Sequence, residues 1–575
     1  MNRTTMSIGQ RIVALLQQEG VTAIFSQGDI STRDVLLHAQ RQGLHIVGPR
    51  HEAATIGMAM GYYAATGKPQ AAFGAMGPGV ANLLPAAVTA AREHVPVIIF
   101  GARRQHGVAN AVRRGAWLSA PMLPLFAQIC KFAALINHPA EVDEIVQQAF
   151  RCALSGTPGP VYIEYDAMMH IESWAFAPLV PPSRYRAGPQ AASAAAIDAA
   201  VARLRAARSP IVIGGEAVQH ARCRDAFVRL CETLGCPVLT TFGGAGLMAA
   251  AHPQWLLLQS QAAEEAIGQS DLLLSVGTCL PEMAYYGRLG PFAHDDEGRQ
   301  VIALDTDAAA IGINRPVDLA VVGDLGLSIG QLTEALGPAR PAQPALARWR
   351  QMLADETRAN LESIPVGIPA GRGIHPSRLM LEARRAVPDD TTIVLDGGLT
   401  IFYQLAFFEK RGADFIYGAN YSHLGSGLPQ AVGVQLAQGR ERPVCLITGD
   451  GALGFHFMEL ETAVRHRLPL VVIVNDDHAL GAEMAAHMQH IGHPIEVSFT
   501  PARYDLMLQA IGGHGEYVEQ VDDIAPAIQR AFASGKTALV QVVTDPDASH
   551  RDVHPYANAR RAWLRADLED KYGSA

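Results

Sequence analysis

The sequence predicts an α/β protein in three units, and three observations carry that prediction. Short apolar runs alternate with stretches whose apolar residues recur at helical spacing, the pattern of buried parallel strands joined by crossover helices. Alanine-rich helices and 54 glycines fit many tight strand-to-helix turns. Two proline-rich segments, Pro178–Pro182 and the Pro338, Pro341, Pro344 series, break the pattern and read as linkers.

In the first unit the strands are expected at Val21–Ser26, His45–Gly48, Gln70–Gly74, Val97–Phe100 and Val161–Tyr165, with helices such as Ile8–Gln18 and Ala53–Thr66 between them. The middle unit places strands at Pro210–Gly214, Pro237–Thr241, Asp271–Val276 and Val301–Asp305, and closes on Val321-Val322-Gly323-Asp324. A charged helix over Leu346–Ser363 crosses to the last unit, which begins near Ser377. Its strands are expected at Thr392–Leu395, Phe415–Tyr417, Val444–Thr448, Leu470–Val474 and Leu539–Val543. From His550 the tail is polar and helical in composition. The resulting boundaries are 1–185, 190–340 and 370–575.

Bulk properties narrow the function. At 575 residues, 49% hydrophobic and 18% charged, the chain can bury sizeable cores. A net charge of −9 and a pI near 6.2 argue against a nucleic-acid binder. No apolar run has transmembrane length, and the first residues lack the apolar core of a signal peptide. Seven scattered cysteines, with no CxxC pair, read as reduced thiols. A cytoplasmic protein is the expectation.

Chemistry concentrates first in Arg442–Glu483. An apolar strand runs into Gly449-Asp450-Gly451; Phe457, Leu460 and Val464 follow at helical spacing; a second strand ends in Asn475-Asp476-Asp477. In open α/β sheets ligands sit at the C-terminal strand ends. Asp450 and Asp476 are hard oxygen donors, His478 is a further candidate ligand, and the glycines allow close approach, which suits a magnesium ion carrying a phosphate. Solvated acids after a plain turn would look the same. Elsewhere, Glu52 opens a helix, where an acid is favoured by the helix dipole. Gly77-Pro78-Gly79-Val80-Ala81-Asn82 follows a strand, as does Asp396-Gly397-Gly398-Leu399-Thr400, whose amides could form an anion nest.

Taken together these motifs resemble those of thiamine-diphosphate (ThDP) enzymes of the acetolactate synthase, benzaldehyde lyase and pyruvate decarboxylase superfamily. Gly449-Asp450-Gly451 with Asn475-Asp476 is similar to the metal and diphosphate motif, with Asp476 where a second Asn usually stands. Arg50-His51-Glu52 through Thr66-Gly67 resembles the stretch whose glutamate bonds the cofactor's aminopyrimidine. Gly77–Asn82 resembles the turn beside that ring, and Ser422–Pro429 the segment whose Met or Leu, here Leu424, bends the cofactor.

The resemblance implies two ThDP-binding α/β domains flanking a Rossmann-like middle domain, with thiamine diphosphate and Mg²⁺ as cofactors. It implies cofactor contacts from Gly77, Asn82, Gly397, Gly398, Leu399, Leu424, Gly449, Asp450, Gly451 and Ala452, and metal ligands Asp450, Asp476 and His478. Glu52 is the implied activator of the cofactor, while Asp29 and Glu483 are implied acid–base groups at the substrate. Gln27, His106, Arg113, His423 and His487 are looser pocket candidates. The implied reaction is cleavage or formation of a C–C bond next to a carbonyl, on a 2-oxo acid or 2-hydroxy ketone, through an ylide and an enamine. A simple decarboxylase, a 2-hydroxyacyl-CoA lyase and a flavin-dependent oxidase on the same scaffold are the alternatives. FAD or ADP in the middle domain would have to meet Gly214-Gly215-Glu216 and Gly277-Thr278, which serve equally well as plain turns. Since the family divides its site between subunits, a homodimer or homotetramer is implied.

Overall fold

The computed structural model of the chain describes residues 3–105, 107–108, 113–293, 298–364, 373–408 and 415–548. His106 and the tail from His550 lie outside the described residues.

Three parallel sheets follow one another along the chain. In the first, the strand order is His45–Val47, Ala23–Ser26, Gln70–Gly74, Val97–Arg103, Val161–Asp166, Phe132–Ile136. In the last it is Phe415–Ile416, Thr392–Leu395, Val444–Gly449, Leu470–Asp476, Ala538–Val543, His514–Val518. Numbered within each unit, both sheets read 2-1-3-4-6-5, so the first and last units share one topology. The middle sheet has five strands in the order Val238–Thr240, Pro210–Gly214, Leu272–Val276, Gln300–Asp305, Leu319–Val322. A short antiparallel ribbon pairs Thr4–Ser7 with Ser173–Phe176.

Every strand expected from the sequence is present; Gln70–Gly74, Pro210–Gly214 and Thr392–Leu395 keep their expected bounds and the others have shifted ends. The first begins at Ala23 because the Gln70 side chain takes the Thr22 and Ala23 amides, at 3.0 and 2.9 Å, before the ladder starts. The Leu470 strand runs on to Asp476, which pairs with Val543, so Asp476 belongs to the strand itself. Four strands escaped the sequence reading. Phe132–Ile136 and His514–Val518 each lie at a sheet edge and are only half-buried for most of their length, so neither shows a clean apolar run. The two ribbon strands are short and only partly buried. The expected single helix after Gly449 divides into Asp450–His456 and Glu459–Arg465.

Two helices hold the outer units together. Glu52–Thr66 and Gly427–Gln438 each follow the second strand of their unit, and each is buried over most of its length. A helix apolar all round belongs inside a protein. Here the two lie against each other with glycines at the crossing: a Cβ built on Gly61 would come within 2.7 Å of the Gln430 carbonyl carbon, and one on Gly433 within 2.8 Å of that of Met58. One apolar core therefore joins Phe25, Met58 and Ile99 of the first unit to Val432, Leu446 and Val472 of the last. Among the described residues no helix is long and apolar enough to cross a membrane.

Candidate active site

Strand order fixes where the acids of the last unit meet. The Val444–Gly449 and Leu470–Asp476 strands are neighbours in register, Gly449 beside Asn475, so their C-terminal ends open into one cleft. Gly397, Gly398, Leu399, Leu424, Asp450 and Glu483 are among its lining residues. Gly449, Gly451 and Ala452 line it as well.

Asp450 opens its helix, 2% exposed, and neither carboxylate oxygen meets a hydrogen-bond donor. Leaving a buried polar atom unpaired costs about 1–3 kcal/mol, more for a charge. Burial, then the neighbouring Asp477 and Asp476 carboxylates, push its pKa well above the usual carboxylate range. Asp450, Asp476 and His478 bring one ligand atom each within 4.8 Å of one another. Asp476 is already engaged: His478 Nδ1 lies 2.8 Å from Oδ1, and Gln541 Nε2 donates to Oδ2 at 2.6 Å. The Asn475 side-chain oxygen is a second orphan, while its amide donates to Thr400 Oγ1 at 3.1 Å. Two buried carboxylates, an imidazole and the orphaned Asn475 oxygen form a donor set that suits a divalent cation. The residues present fit a magnesium-bound diphosphate.

Leu424 is placed by Asp396. That buried carboxylate accepts the amides of Gly397 (2.6 Å), Gly425 (3.3 Å) and Gly427 (2.8 Å), tying the Leu424 turn to the end of the Thr392–Leu395 strand. Burial raises Asp396 to about 6 against the pull of those three amides. Gly425 stands at φ +83°, with the Phe455 side chain where a Cβ would point, so a larger residue would strain the turn.

Glu52 is the first residue of its helix, and the helix start is pinned from the last unit. Glu459, 1% exposed, accepts the amides of Arg50 (3.0 Å) and His51 (3.1 Å). Asn82 Nδ2 donates to Glu52 Oε2 at 2.9 Å, and a Cβ on Gly79 would lie 3.0 Å from Oε1. Gly77, at φ +73°, passes Leu118 so closely that a Cβ would sit 2.9 Å from its Cα. Glu52 and the Gly77–Asn82 turn thus form one constellation. Glu52 is not among the residues lining the Asp450 cleft.

The remaining candidates scatter. Asp29 accepts the Ser31 amide at 2.8 Å, an Asx turn. Glu483 is exposed in the first turn of Gly481–His490 and lines the cleft. His423 Nδ1 lies 2.6 Å from Thr89 Oγ1, Gln27 donates to the Arg50 carbonyl, Arg113 donates to Gly107 and Val108, and His487 accepts the Ile495 amide. In the middle unit, Gly215 turns tightly past Thr278, and Glu216 accepts a long hydrogen bond from Thr241 Oγ1 at 3.4 Å. Sequence reasoning assigned no role to Glu459, Asp477 or the Asp396 carboxylate. Only a polar residue beside an apolar strand or helix could have pointed to them.

Comparison with known proteins supplies the context. Models of the thiamine pyrophosphate enzymes match in three parts: the N-terminal TPP binding domain over residues 6–117, the central domain over 197–332 and the C-terminal TPP binding domain over 397–542. The chain is 28% identical over 558 residues to an acetolactate synthase large subunit of Mycobacterium tuberculosis, covering 95% of this chain and 97% of that one. It is 25% identical to the oxalyl-CoA decarboxylase of Escherichia coli K12, covering 94% of this chain and 96% of that one. It is also 25% identical to a 2-hydroxyacyl-CoA lyase of Arabidopsis thaliana, covering 93% and 94%. The crystal structure of a protein described as a thiamin diphosphate-dependent enzyme from Mycobacterium smegmatis shares the fold, with a TM-score of 0.78 at 20% identity over 94% of this chain and all of that one.

Proposed function

Because the chain belongs to the thiamine pyrophosphate enzyme family, we propose that it is a magnesium-dependent ThDP enzyme that breaks or forms a C–C bond beside a carbonyl, on a 2-oxo acid or 2-hydroxy ketone. One observation carries the reading: Asp450, buried and without a donor, lines a cleft with Gly397, Gly398 and Leu424, and Asp476 and His478 each bring a ligand atom within 4.8 Å of it. When bound, thiamine diphosphate supplies the nucleophilic carbon and the electron sink for such a reaction. The chain's own residues do the rest.

Asp450, Asp476 and His478 would hold the metal. Gly397, Gly398, Leu399, Gly449, Gly451 and Ala452, which line the cleft, would meet the diphosphate, the glycines leaving room for close approach to the backbone. Leu424, in a turn fixed by Asp396, would pack against the cofactor. Glu52, oriented by Asn82, would hold or release a proton at the aminopyrimidine end of the cofactor. Glu483 and Asp29 act as acid and base at the substrate. As the family resemblance implies, the site is shared between two chains, one supplying Glu52 and the other the Asp450 cleft, so the proposed working unit is at least a dimer.

Replacing Glu52 by Gln tests the proton role: turnover should fall by about 10²–10⁴ while ThDP still binds. Undiminished turnover would refute it. ThDP titration with and without Mg²⁺ tests the cleft separately; metal-independent binding would remove the role given to Asp450.

A further inference from the structure

A second cavity, of about 360 Å³, lies where the three units meet and shares no lining residue with the cleft. Met60 and Tyr63 reach it from the Glu52–Thr66 helix, Glu93 from the end of the Leu84–Arg92 helix, Glu216 and His220 from the middle unit, and Phe415 from the last. Cavities at domain junctions with a few converging polar groups are the common form of a small-molecule site.

The polar groups in this one are underused. Tyr63 is 6% exposed, and its hydroxyl meets no hydrogen-bond partner among the described residues. His220 lies edge-on to it, ring centres 6.1 Å apart, and its ring nitrogens likewise meet none. Burial lowers His220 to about 4, so near neutrality its imidazole offers one donor and one acceptor. Glu93 accepts only the backbone amides of Asn420 (3.1 Å) and Tyr421 (2.6 Å). Glu216 stands close enough to raise the proton affinity of Glu93 further. Glu93 is buried and Glu216 half-buried, and neither forms an ion pair among the described residues; Arg222 and Arg224 also line the cavity, donating to the carbonyls of Ala64, Ala65 and Leu247.

We propose that this cavity binds a small organic amine. Its ammonium group sits between Glu93 and Glu216, its carbon chain lies along Met60 and Phe415, and a second polar group is met by the Tyr63 hydroxyl and the His220 imidazole. A bare divalent cation would want six or more oxygen ligands, and the two carboxylates supply too few. The middle unit thereby gains a ligand that needs no glycine-rich nucleotide fingerprint.

Calorimetric titration of the full-length protein with putrescine and with L-lysine tests the site, with succinate and calcium chloride as contrasts. Saturable binding of an amine, one per chain, is expected. Tyr63→Phe, which keeps the packed ring, and Glu93→Gln should each weaken it about tenfold, the loss of one hydrogen bond. Glu483→Gln, in the other cleft, should leave it unchanged. The inference is overturned by absence of saturable binding for both amines, by wild-type affinity in both the Tyr63→Phe and the Glu93→Gln proteins, or by succinate or calcium binding more tightly than either amine.

Discussion

Substituting Gly433 by Ala inserts one methyl between the two central helices. The added carbon would lie 2.8 Å from the Met58 carbonyl carbon and 2.9 Å from its Cα. Carbon atoms settle at about 3.5–4.0 Å, so the helices would have to part by roughly 1 Å. Both belong to the single core that joins the outer units, where overpacking costs about 3 kcal/mol when neighbours cannot yield, and backbone yields least. The Gly427–Gln438 helix also begins three residues after Leu424, so the displacement reaches the cleft. Gly330 is the control: it lies exposed in the Leu325–Leu336 helix with nothing within 4 Å of its would-be Cβ. Ala there should stabilise by about 0.5–1 kcal/mol. Urea unfolding of the two variants, followed beside ThDP affinity, checks this. Expected are a lowered midpoint and weakened ThDP binding for Gly433→Ala, and neither for Gly330→Ala. Matching midpoints would refute the close-crossing account.

Four further outcomes follow from the described geometry. Glu93, raised from 4.5 to about 7 mainly by burial, with Glu216 adding to and Arg92 opposing the shift, keeps its proton in the folded state after the unfolded chain has released it. Its contribution is therefore fully present below pH 4.5 and is lost as pH rises to about 7, a fall of about 3 kcal/mol that Glu93→Gln should abolish in urea midpoints measured across that window. Asp396→Ala strands three glycine amides; a loss of about 3 kcal/mol and of saturable ThDP binding is expected, and a protein binding ThDP normally would show that the turn needs no anchor. Asp476→Asn should raise the Mg²⁺ needed for half-maximal ThDP binding about tenfold, whereas an unchanged requirement would remove Asp476 from the metal's ligands. Glu483→Gln should lower kcat by about 10²–10⁴ with ThDP affinity intact; a change in affinity alone would reassign it to binding.

The sequence showed the central strands because burial on both faces leaves uninterrupted apolar runs, as in Leu470–Val474. It hid Phe132–Ile136 and His514–Val518, whose edge positions relax that demand. Asp450 and Leu424, which the structure brings into one cleft, were legible through the glycine-flanked motifs they share with a known family. Glu459 was not, since its partners, the Arg50 and His51 amides, lie some 400 residues away and an amide acceptor leaves no pattern. Glu93 was missed for the same reason: a carboxylate at a helix end reads as solvated until the third unit folds over it.

The proposed sharing of each site between two chains has a genetic consequence. A chain carrying Glu52→Gln and a chain carrying Asp450→Ala should each be inactive alone. Coexpressed, half of the dimers would be mixed, and each mixed dimer would assemble one site from two intact halves and one from two damaged halves. Activity should return to roughly a quarter of the wild-type level, the proportion expected of complementation between two alleles in a two-fold assembly.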